Sequence, residues 1–154
     1  MLAALANKFG TNRSEPVETD IIAALTAEHR VLLELHKAIS DAVAARKYAA
    51  IPKFATQLHD QLHNHLTVEH LKLYTALRRK LEKDNEKLRE IYNLQREMYS
   101  IGHGAVDFIR RASEIKLSDV SAERFSTDLN GVGSVLVQRI RKEEEELYPL
   151  YNSL

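Results

Sequence analysis

Four long stretches of the chain carry apolar residues at alternating steps of three and four, the spacing that keeps side chains on one face of an α-helix. The first stripe runs through positions 22, 25, 29, 32, 36, 39 and 43. Only three prolines and five glycines interrupt the 154 residues. The spacing predicts four helices over residues 18–46, 52–81, 85–115 and 121–151. Pro52 falls in the first turn of the second helix, where its missing N–H is tolerated, and Ser121 is expected to open the fourth.

Short connections between long helices favour antiparallel neighbours. We therefore expect an all-α fold, an up-down-up-down antiparallel four-helix bundle over residues 17–154, with residues 1–16 as a short N-terminal arm. A chain of this length can bury a core of its own without covalent cross-links.

The composition excludes several classes of function. The chain has no cysteine, which excludes disulfides, thiolate metal sites and thiol catalysis. Its 22 basic residues balance 22 acidic ones, so the basic excess typical of nucleic-acid binding is missing. No apolar run is long enough for a membrane helix, and the first residues lack the pattern of a secretory signal. We expect a cytoplasmic protein that binds neither nucleic acid nor membrane. Because no nucleophile elbow or Gly-rich phosphate loop is present, we do not expect an enzyme.

Ionisable residues interrupt each apolar stripe near the middle of its helix. They are His29 and His36 in the first helix, His65 and Glu69 in the second, His103 in the third, and Arg139 and Glu143 in the fourth. Buried charges need partners because their desolvation is costly. Carboxylates and histidines from facing helices build di-iron and di-manganese sites in bundle cores. A set without thiolates suits iron or manganese, and zinc is possible.

The face predicted to be buried in the third helix includes two aromatic residues beside the histidine. Its members are Leu88, Tyr92, Tyr99, His103 and Val106. Glycine pairs occur in the third and fourth helices, at Gly102 and Gly104 and at Gly131 and Gly133. Glycine weakens a helix interior, and we expect these pairs to mark close packing rather than a ligand channel.

Two segments of the sequence resemble each other, HLTVEHLKLYTAL at residues 65–77 and RIRKEEEELYPLY at residues 139–151. When Arg139 is aligned with His65, Glu143 falls on Glu69 and Tyr148 falls on Tyr74. The first copy places a histidine and a glutamate one turn apart on one helical face. The second copy has arginine in the histidine position. Arginine stays protonated and has no lone pair to donate to a metal.

Four motifs of the chain, in this order, resemble those of the hemerythrin-like, or HHE cation-binding, domains: LTAEHRVLLELHKAI, HLTVEHLKLY, YSIGHGAVDFI and RIRKEEEELYPLY. The resemblance covers about residues 18–151. That family binds two irons bridged by an oxygen species, and it binds O2 or senses O2, nitric oxide or iron. The resemblance implies the following metal ligands: bridging Glu69 and Glu143, His29 and His65 on one metal, and His103 with residue 139 on the other. The chain departs from the family pattern at Arg139.

Arg139 leaves three alternatives for the site. In the first, one metal binds the two histidines of the first half and both glutamates, and the guanidinium fills the other half. In the second, no metal binds and the polar core is an ion-pair network. In the third, Arg139 turns outward and Glu146 or His36 completes an unusual dinuclear site. Repulsion between a dication and a buried guanidinium favours the first two.

Three functions are compatible with these patterns. The first is a non-haem iron protein that binds or senses O2 or NO, or that handles iron. The alternative is a metal-free regulatory module that acts by binding a protein partner, which Arg139 favours. A histidine phosphotransfer domain would need an exposed histidine such as His63 or His70, but no further motif supports that function.

Overall fold

The computed structural model describes residues 20–154, which form four long helices and no strand. Helix α1 spans Ile21–Ala44. Helix α2 covers residues 51–80, with an α-helical part Ile51–Val68, a wider π-helical part Glu69–Tyr74 and a last α-helical part Thr75–Lys80. Helix α3 spans Asn85–Ala112. Helix α4 covers residues 119–153, with Asp119–Lys142 and Tyr148–Ser153 as α-helix and Glu143–Leu147 as π-helix between them.

The predicted all-α four-helix fold is confirmed. The arm predicted over residues 1–16 lies outside the described residues. A short 3₁₀ turn at Tyr48–Ala50 leads into α2. None of the four helices is long and apolar enough to cross a membrane.

Polar residues fix where the helices begin. Asp20 and Asp84 accept hydrogen bonds from backbone N–H groups in the first turns of α1 and α3, which satisfies donors that a helix start leaves free. Helix α4 begins at Asp119 rather than at the predicted residue 121. Ser118 is the N-cap, and Ser121 is its reciprocal partner three residues later. The prediction therefore chose Ser121, the second serine of the capping pair, instead of the N-cap Ser118.

The helices enclose two separate apolar clusters with a polar layer between them. Helices α1 and α3 each pack against both α2 and α4, so the four helices surround a common interior that contains both clusters. One apolar cluster includes Leu32, Ile39, Leu58, Leu62, Leu129 and Leu136. The other includes Leu25, Leu73, Leu77, Ile91 and Leu147. Because each helix passes from one cluster to the other, the residues midway along the helices face one another at a common level.

The predicted buried positions are confirmed in α1, α2 and α4. In α3 the prediction holds for Leu88 and Val106, which pack against the apolar clusters, and is wrong for Tyr92, Tyr99 and His103. Tyr92 and Tyr99 are 52% and 72% exposed. The buried face of α3 carries Ile91, Met98 and Gly102 instead. One residue along an α-helix is a rotation of about 100°, so the prediction was displaced by one position. The prediction placed the large rings of Tyr92 and Tyr99 inside, whereas the buried face has the small residue Gly102 where α3 approaches Arg139 of α4.

Candidate metal centre

A single cluster contains all the buried charged and imidazole side chains of residues 20–154. Glu69 and Glu143 are 1% exposed, His29 and His65 are 2% exposed, and Arg139 is 6% exposed. Four of these five residues were predicted as metal ligands. Since a buried charge without a partner is strongly unfavourable, the five groups must compensate one another or hold an ion.

A carboxylate contacts Nδ1 of each imidazole, on the side of the ring that faces away from the centre of the cluster. Nδ1 of His29 lies 2.7 Å from Oε1 of Glu144, and Nδ1 of His65 lies 2.7 Å from Oε2 of Glu28. A carboxylate accepts a hydrogen bond, so Nδ1 carries a proton in each ring. In a neutral ring the lone pair then lies on Nε2, which points into the cluster. Histidines that bind metals are oriented in this way.

The sequence analysis missed the roles of Glu28 and Glu144. Each lies next to a predicted ligand in the sequence, Glu28 before His29 and Glu144 after Glu143. Each, however, supports a histidine on a facing helix. Helical periodicity places both outside the core face, and only the packing of α1 against α2 and α4 reveals the contacts.

Four donor atoms converge inside the cluster. Nε2 of His29 lies 2.8 Å from Oε2 of Glu143. Nε2 of His65 lies 3.2 Å from Oε1 of Glu69 and 3.7 Å from Oε2 of Glu143, but it forms no hydrogen bond. One donor atom from each of the four residues lies within 4.8 Å of the other three. This is a two-histidine, two-carboxylate set of the kind that iron, manganese and zinc accept.

Arg139 binds the opposite oxygens of the same two glutamates. Its Nε donates to Oε1 of Glu143, and its Nη2 donates to Oε2 of Glu69 at 2.9 Å. Its Nη1 donates to the backbone carbonyl of Met98 at 2.9 Å. Glu69 and Glu143 therefore lie between the imidazoles on one side and the guanidinium on the other. The resemblance implied that they bridge two metals, and the guanidinium stands where the second metal would be.

The half of the cluster around Arg139 receives no metal ligand from α3. The residues of α3 nearest to the guanidinium are Met98 and Gly102, and a Cβ atom on Gly102 would lie 2.6 Å from Nη1 of Arg139. The prediction that His103 faces the core is wrong, because His103 is exposed one position further around the helix. Its ring stacks on Tyr99 with 5.8 Å between ring centroids. His103 is thus the one predicted ligand that the structure does not bring to the cluster.

The alternative in which Arg139 turns outward is also wrong. Arg139 is buried and points into the cluster. His36 donates a hydrogen bond from Nε2 to the carbonyl of Leu129 at 2.8 Å and lies against Gly133. Glu146 is exposed. Neither residue joins the site. The close packing expected at the glycine pairs is confirmed at Gly102 and Gly133 and is wrong at Gly104 and Gly131, where a Cβ atom would meet nothing within 4 Å. Gly102 also lines the cavity between α2 and α3.

Tyr148 completes the cluster, a role that the sequence analysis did not assign. Its hydroxyl lies 3.1 Å from Oε1 of Glu69, 3.4 Å from Oε2 of Glu143 and 3.2 Å from Nε2 of His29. Tyr148 follows Glu143 by five residues, which in a regular α-helix would place it about 140° away. The π-helical turn Glu143–Leu147 brings residues five apart onto one face. The hydroxyl reaches the cluster for this reason.

The charges inside the cluster shift several pKa values. Burial opposes charge on His65, but the nearby Glu143 and Glu69 outweigh it and raise the pKa of His65 to about 10. Burial also opposes charge on Glu143, but His29, His65 and Arg139 outweigh it and hold its pKa well below the usual range. Burial, Glu69 and Glu143 together raise the pKa of Tyr148. Glu143 is therefore stabilised as an anion, and positive charge is favoured beside it.

The residues present fit one metal ion. Four carboxylates, those of Glu28, Glu69, Glu143 and Glu144, face one guanidinium. Three negative charges remain before any imidazole is protonated, and two remain once His65 carries a second proton. A cation among the four converging donors offsets most of that charge. It also gives a partner to Nε2 of His65, which forms no hydrogen bond with any group in residues 20–154. In the half around Arg139 a dication would meet a fixed positive charge and no ligand from α3.

A cavity of about 450 Å³ opens between α2 and α3 and reaches this cluster. Its inner end is formed by Glu69, Arg139 and Tyr74, and its walls are mainly apolar, with Leu66, Leu71 and Val106 among them. The exposed histidines His63, His70 and His103 also line it. The cavity therefore connects the surface with the carboxylate that both halves of the cluster share.

Comparison with known proteins identifies one family. The family described as hemerythrin HHE cation binding domain matches the chain over residues 20–151. No curated protein and no solved structure matches the chain significantly. The matched range contains all four helices up to the last turn of α4 and every residue of the cluster.

Proposed function

Since this chain belongs to the hemerythrin HHE cation-binding domain family, we propose that it binds a single iron ion and uses it to bind or sense O2 or NO. The ligands are His29, His65, Glu69 and Glu143. The observation that carries the proposal is the pair of short contacts between imidazole Nδ1 and carboxylate, which direct both Nε2 atoms to one point. Both Nε2 atoms then face the carboxylates of Glu69 and Glu143, the arrangement by which carboxylates behind the rings orient histidines towards a metal ion.

The arrangement around Arg139 supports one ion rather than two. The guanidinium occupies one oxygen of each glutamate and contributes a permanent positive charge. Met98 and Gly102 offer no ligand on that side. A second dication would therefore lack donors and meet repulsion.

The apolar cavity supports a small diatomic ligand. O2 and NO are weakly polar and enter apolar cavities without a large desolvation cost. The cavity ends at Glu69, which is itself a proposed ligand. When bound, an iron ion with an open coordination position supplies reversible binding of such molecules. The protein contributes the donors, the charge balance and the exclusion of bulk water.

A metal-free interaction module is the second candidate, and one observation favours it. Two hydrogen bonds of Arg139 already compensate one oxygen of each buried glutamate, and a third goes to the carbonyl of Met98. Nε2 of His65 argues in the other direction, because it is buried without a hydrogen bond. Iron handling without gas binding would use the same ligands.

Anaerobic titration with Fe(II), followed by elemental analysis and by NO addition with electron paramagnetic resonance, tests the proposal. We expect one iron per chain and an iron–nitrosyl signal. Arg139→His is also expected to bind one iron, because α3 still presents Met98 and Gly102 to the vacated space. Two irons in the wild type would overturn the single-ion proposal. No iron in a folded protein would favour the interaction module, and iron without a nitrosyl signal would favour iron handling.

A further inference from the structure

The hydroxyl of Tyr148 is surrounded by metal-ligand atoms. Oε1 of Glu69, Nε2 of His29 and Oε2 of Glu143 lie 3.1, 3.2 and 3.4 Å from it. The ring of Tyr148 lies parallel to that of His29, with 5.6 Å between centroids. Tyr148 is only 2% exposed, so no water molecule at the surface competes for the hydroxyl.

The spacing of these atoms is that of neighbouring ligands on one ion. Oxygen and nitrogen donors bind metals at about 2.0–2.2 Å, so donors at right angles around an ion lie roughly 3 Å apart. Nε2 of His29 and Oε2 of Glu143 are 2.8 Å apart, and Nε2 of His65 and Oε1 of Glu69 are 3.2 Å apart. The Tyr148 oxygen continues this pattern with three contacts of similar length.

Hydrogen bonding alone leaves this arrangement incomplete. A phenolic hydroxyl has one proton to donate. When the imidazoles are neutral, that proton faces three acceptors, on Glu69, Glu143 and His29. Two acceptors then remain close to the oxygen without a proton between them. A cation among these atoms removes the surplus of lone pairs.

Tyr74 occupies the position in α2 that corresponds to Tyr148 in α4, on the side of the cluster that contains Arg139. It follows Glu69 by five residues across the π-helical part Glu69–Tyr74 of α2, as Tyr148 follows Glu143. Its hydroxyl is buried but has no hydrogen-bond partner. It lies in the cavity wall beside Arg139, where the guanidinium takes the place of an ion. Only Tyr148 contacts the histidine side of the cluster.

We propose that the oxygen of Tyr148 is a fifth ligand of the iron when the ion is in the Fe(III) state. This inference rests on the proposed function, because it requires that the centre bind iron. On coordination the phenolic O–H bond breaks, the oxygen keeps the electron pair and binds the ion, and the proton passes to solvent. An anionic oxygen donor stabilises the higher charge of Fe(III) relative to Fe(II).

The test compares two tyrosine variants of the full chain. Wild type, Tyr148→Phe and Tyr74→Phe are loaded with one equivalent of Fe(II) under argon, desalted and oxidised with ferricyanide, which accepts one electron from each iron. Elemental analysis gives the iron content. Visible absorption and resonance Raman spectra report phenolate bound to Fe(III), through its charge-transfer band and the ring vibrations of tyrosinate.

We expect the charge-transfer band in the wild type and in Tyr74→Phe, and its loss in Tyr148→Phe. The affinity of Tyr148→Phe for Fe(III) should fall by at least the roughly 10–100-fold typical of losing a supporting group at a metal site. Phenylalanine keeps the ring and removes only the hydroxyl. If Tyr148→Phe does not fold, the Raman spectrum of the wild type decides, since Tyr148 is the only tyrosine whose hydroxyl contacts the imidazoles in residues 20–154.

The outcomes separate this inference from the proposed function. Iron in the wild type without a tyrosinate signal, or a signal that persists in Tyr148→Phe, overturns the role of Tyr148 and leaves the four-ligand site intact. Absence of iron from folded wild-type protein overturns the proposed function, and the role of Tyr148 falls with it. Loss of the signal in Tyr74→Phe with retention in Tyr148→Phe would show that Tyr74 is the ligand, and this result would also overturn the inference.

Discussion

Residues 65–74 of α2 and residues 139–148 of α4 are two versions of one structural unit. Each has a glutamate four residues from its start, a π-helical turn that begins at that glutamate, and a buried tyrosine at its end. They differ at the first position, where α2 has His65 and α4 has Arg139. They also differ at the last, because the hydroxyl of Tyr148 contacts the cluster and that of Tyr74 has no partner.

The difference shows how one buried pair of carboxylates can be neutralised in two ways. Arg139 carries a permanent positive charge and donates hydrogen bonds, so its half of the cluster is complete without an ion. His65 offers a lone pair when it is neutral, so its half is completed by a proton or by a metal. The half of the cluster that contains His65 can therefore exchange its cation with solvent, and the half that contains Arg139 cannot.

The largest expected effect comes from removing the permanent cation. Arg139→Met leaves Glu69 and Glu143 buried without it, and breaking a buried ion pair from one side costs about 3–5 kcal/mol. We expect the free energy of unfolding in urea, measured with EDTA present, to fall by about that amount. Bound metal should reduce the loss, because it supplies positive charge to the same carboxylates.

Arg141→Met is the matched control for this prediction. Arg141 lies in the same helix but is exposed, and substitutions at such positions change stability by about 0.5 kcal/mol or less. Equal losses in the two variants would mean that the contacts of Arg139 with Glu69 and Glu143 contribute nothing specific.

The second largest effect is the stabilisation by metal that we expect in the half of the cluster that contains His65. A ligand present at 100 times its dissociation constant stabilises the folded state by about 2.7 kcal/mol. We expect Fe(II) under argon to stabilise the wild type in this way and to have no such effect on His65→Ala. His63→Ala, which removes an exposed histidine two residues earlier in α2, should keep the full response. Thermal unfolding with and without Fe(II) measures both, and a metal response that survives in His65→Ala would contradict the assignment.

A smaller effect is expected from the carboxylates behind the imidazoles. Glu144→Gln weakens the contact that orients His29, and such substitutions lower metal affinity by about 10–100-fold. Glu145→Gln, at the exposed neighbouring position, should leave the affinity unchanged. Competition with a chromophoric chelator gives both dissociation constants. Equal affinities for the two variants would show that the Nδ1 contact of His29 does not support the metal.

The sequence predicted most of the fold and most of the site for one reason, helical periodicity. It placed His29, His65, Glu69 and Glu143 correctly because each lies on a stripe of otherwise apolar residues. It did not predict Glu28 and Glu144, because their contacts are made across helices and leave no periodic signal. It also did not predict the π-helical turns, which insert one residue into the register and give Tyr148 its position.

The smallest expected effect tests the error of register in α3. The sequence analysis placed His103 on the same face of the third helix as Tyr92 and Tyr99, and the family resemblance implied that it is a ligand. In the structure His103 is exposed and stacks on Tyr99, and Gly102 faces Arg139 in its place. We expect His103→Ala to change the free energy of unfolding by about 0.5 kcal/mol or less and to leave iron content and affinity at the wild-type values. Loss of iron in this variant would return His103 to the centre, and it would require α3 to rotate by about 100° with Arg139 displaced. The position of Arg139 and the register of α3 therefore agree, since the guanidinium fills the half of the cluster to which α3 brings only Met98 and Gly102.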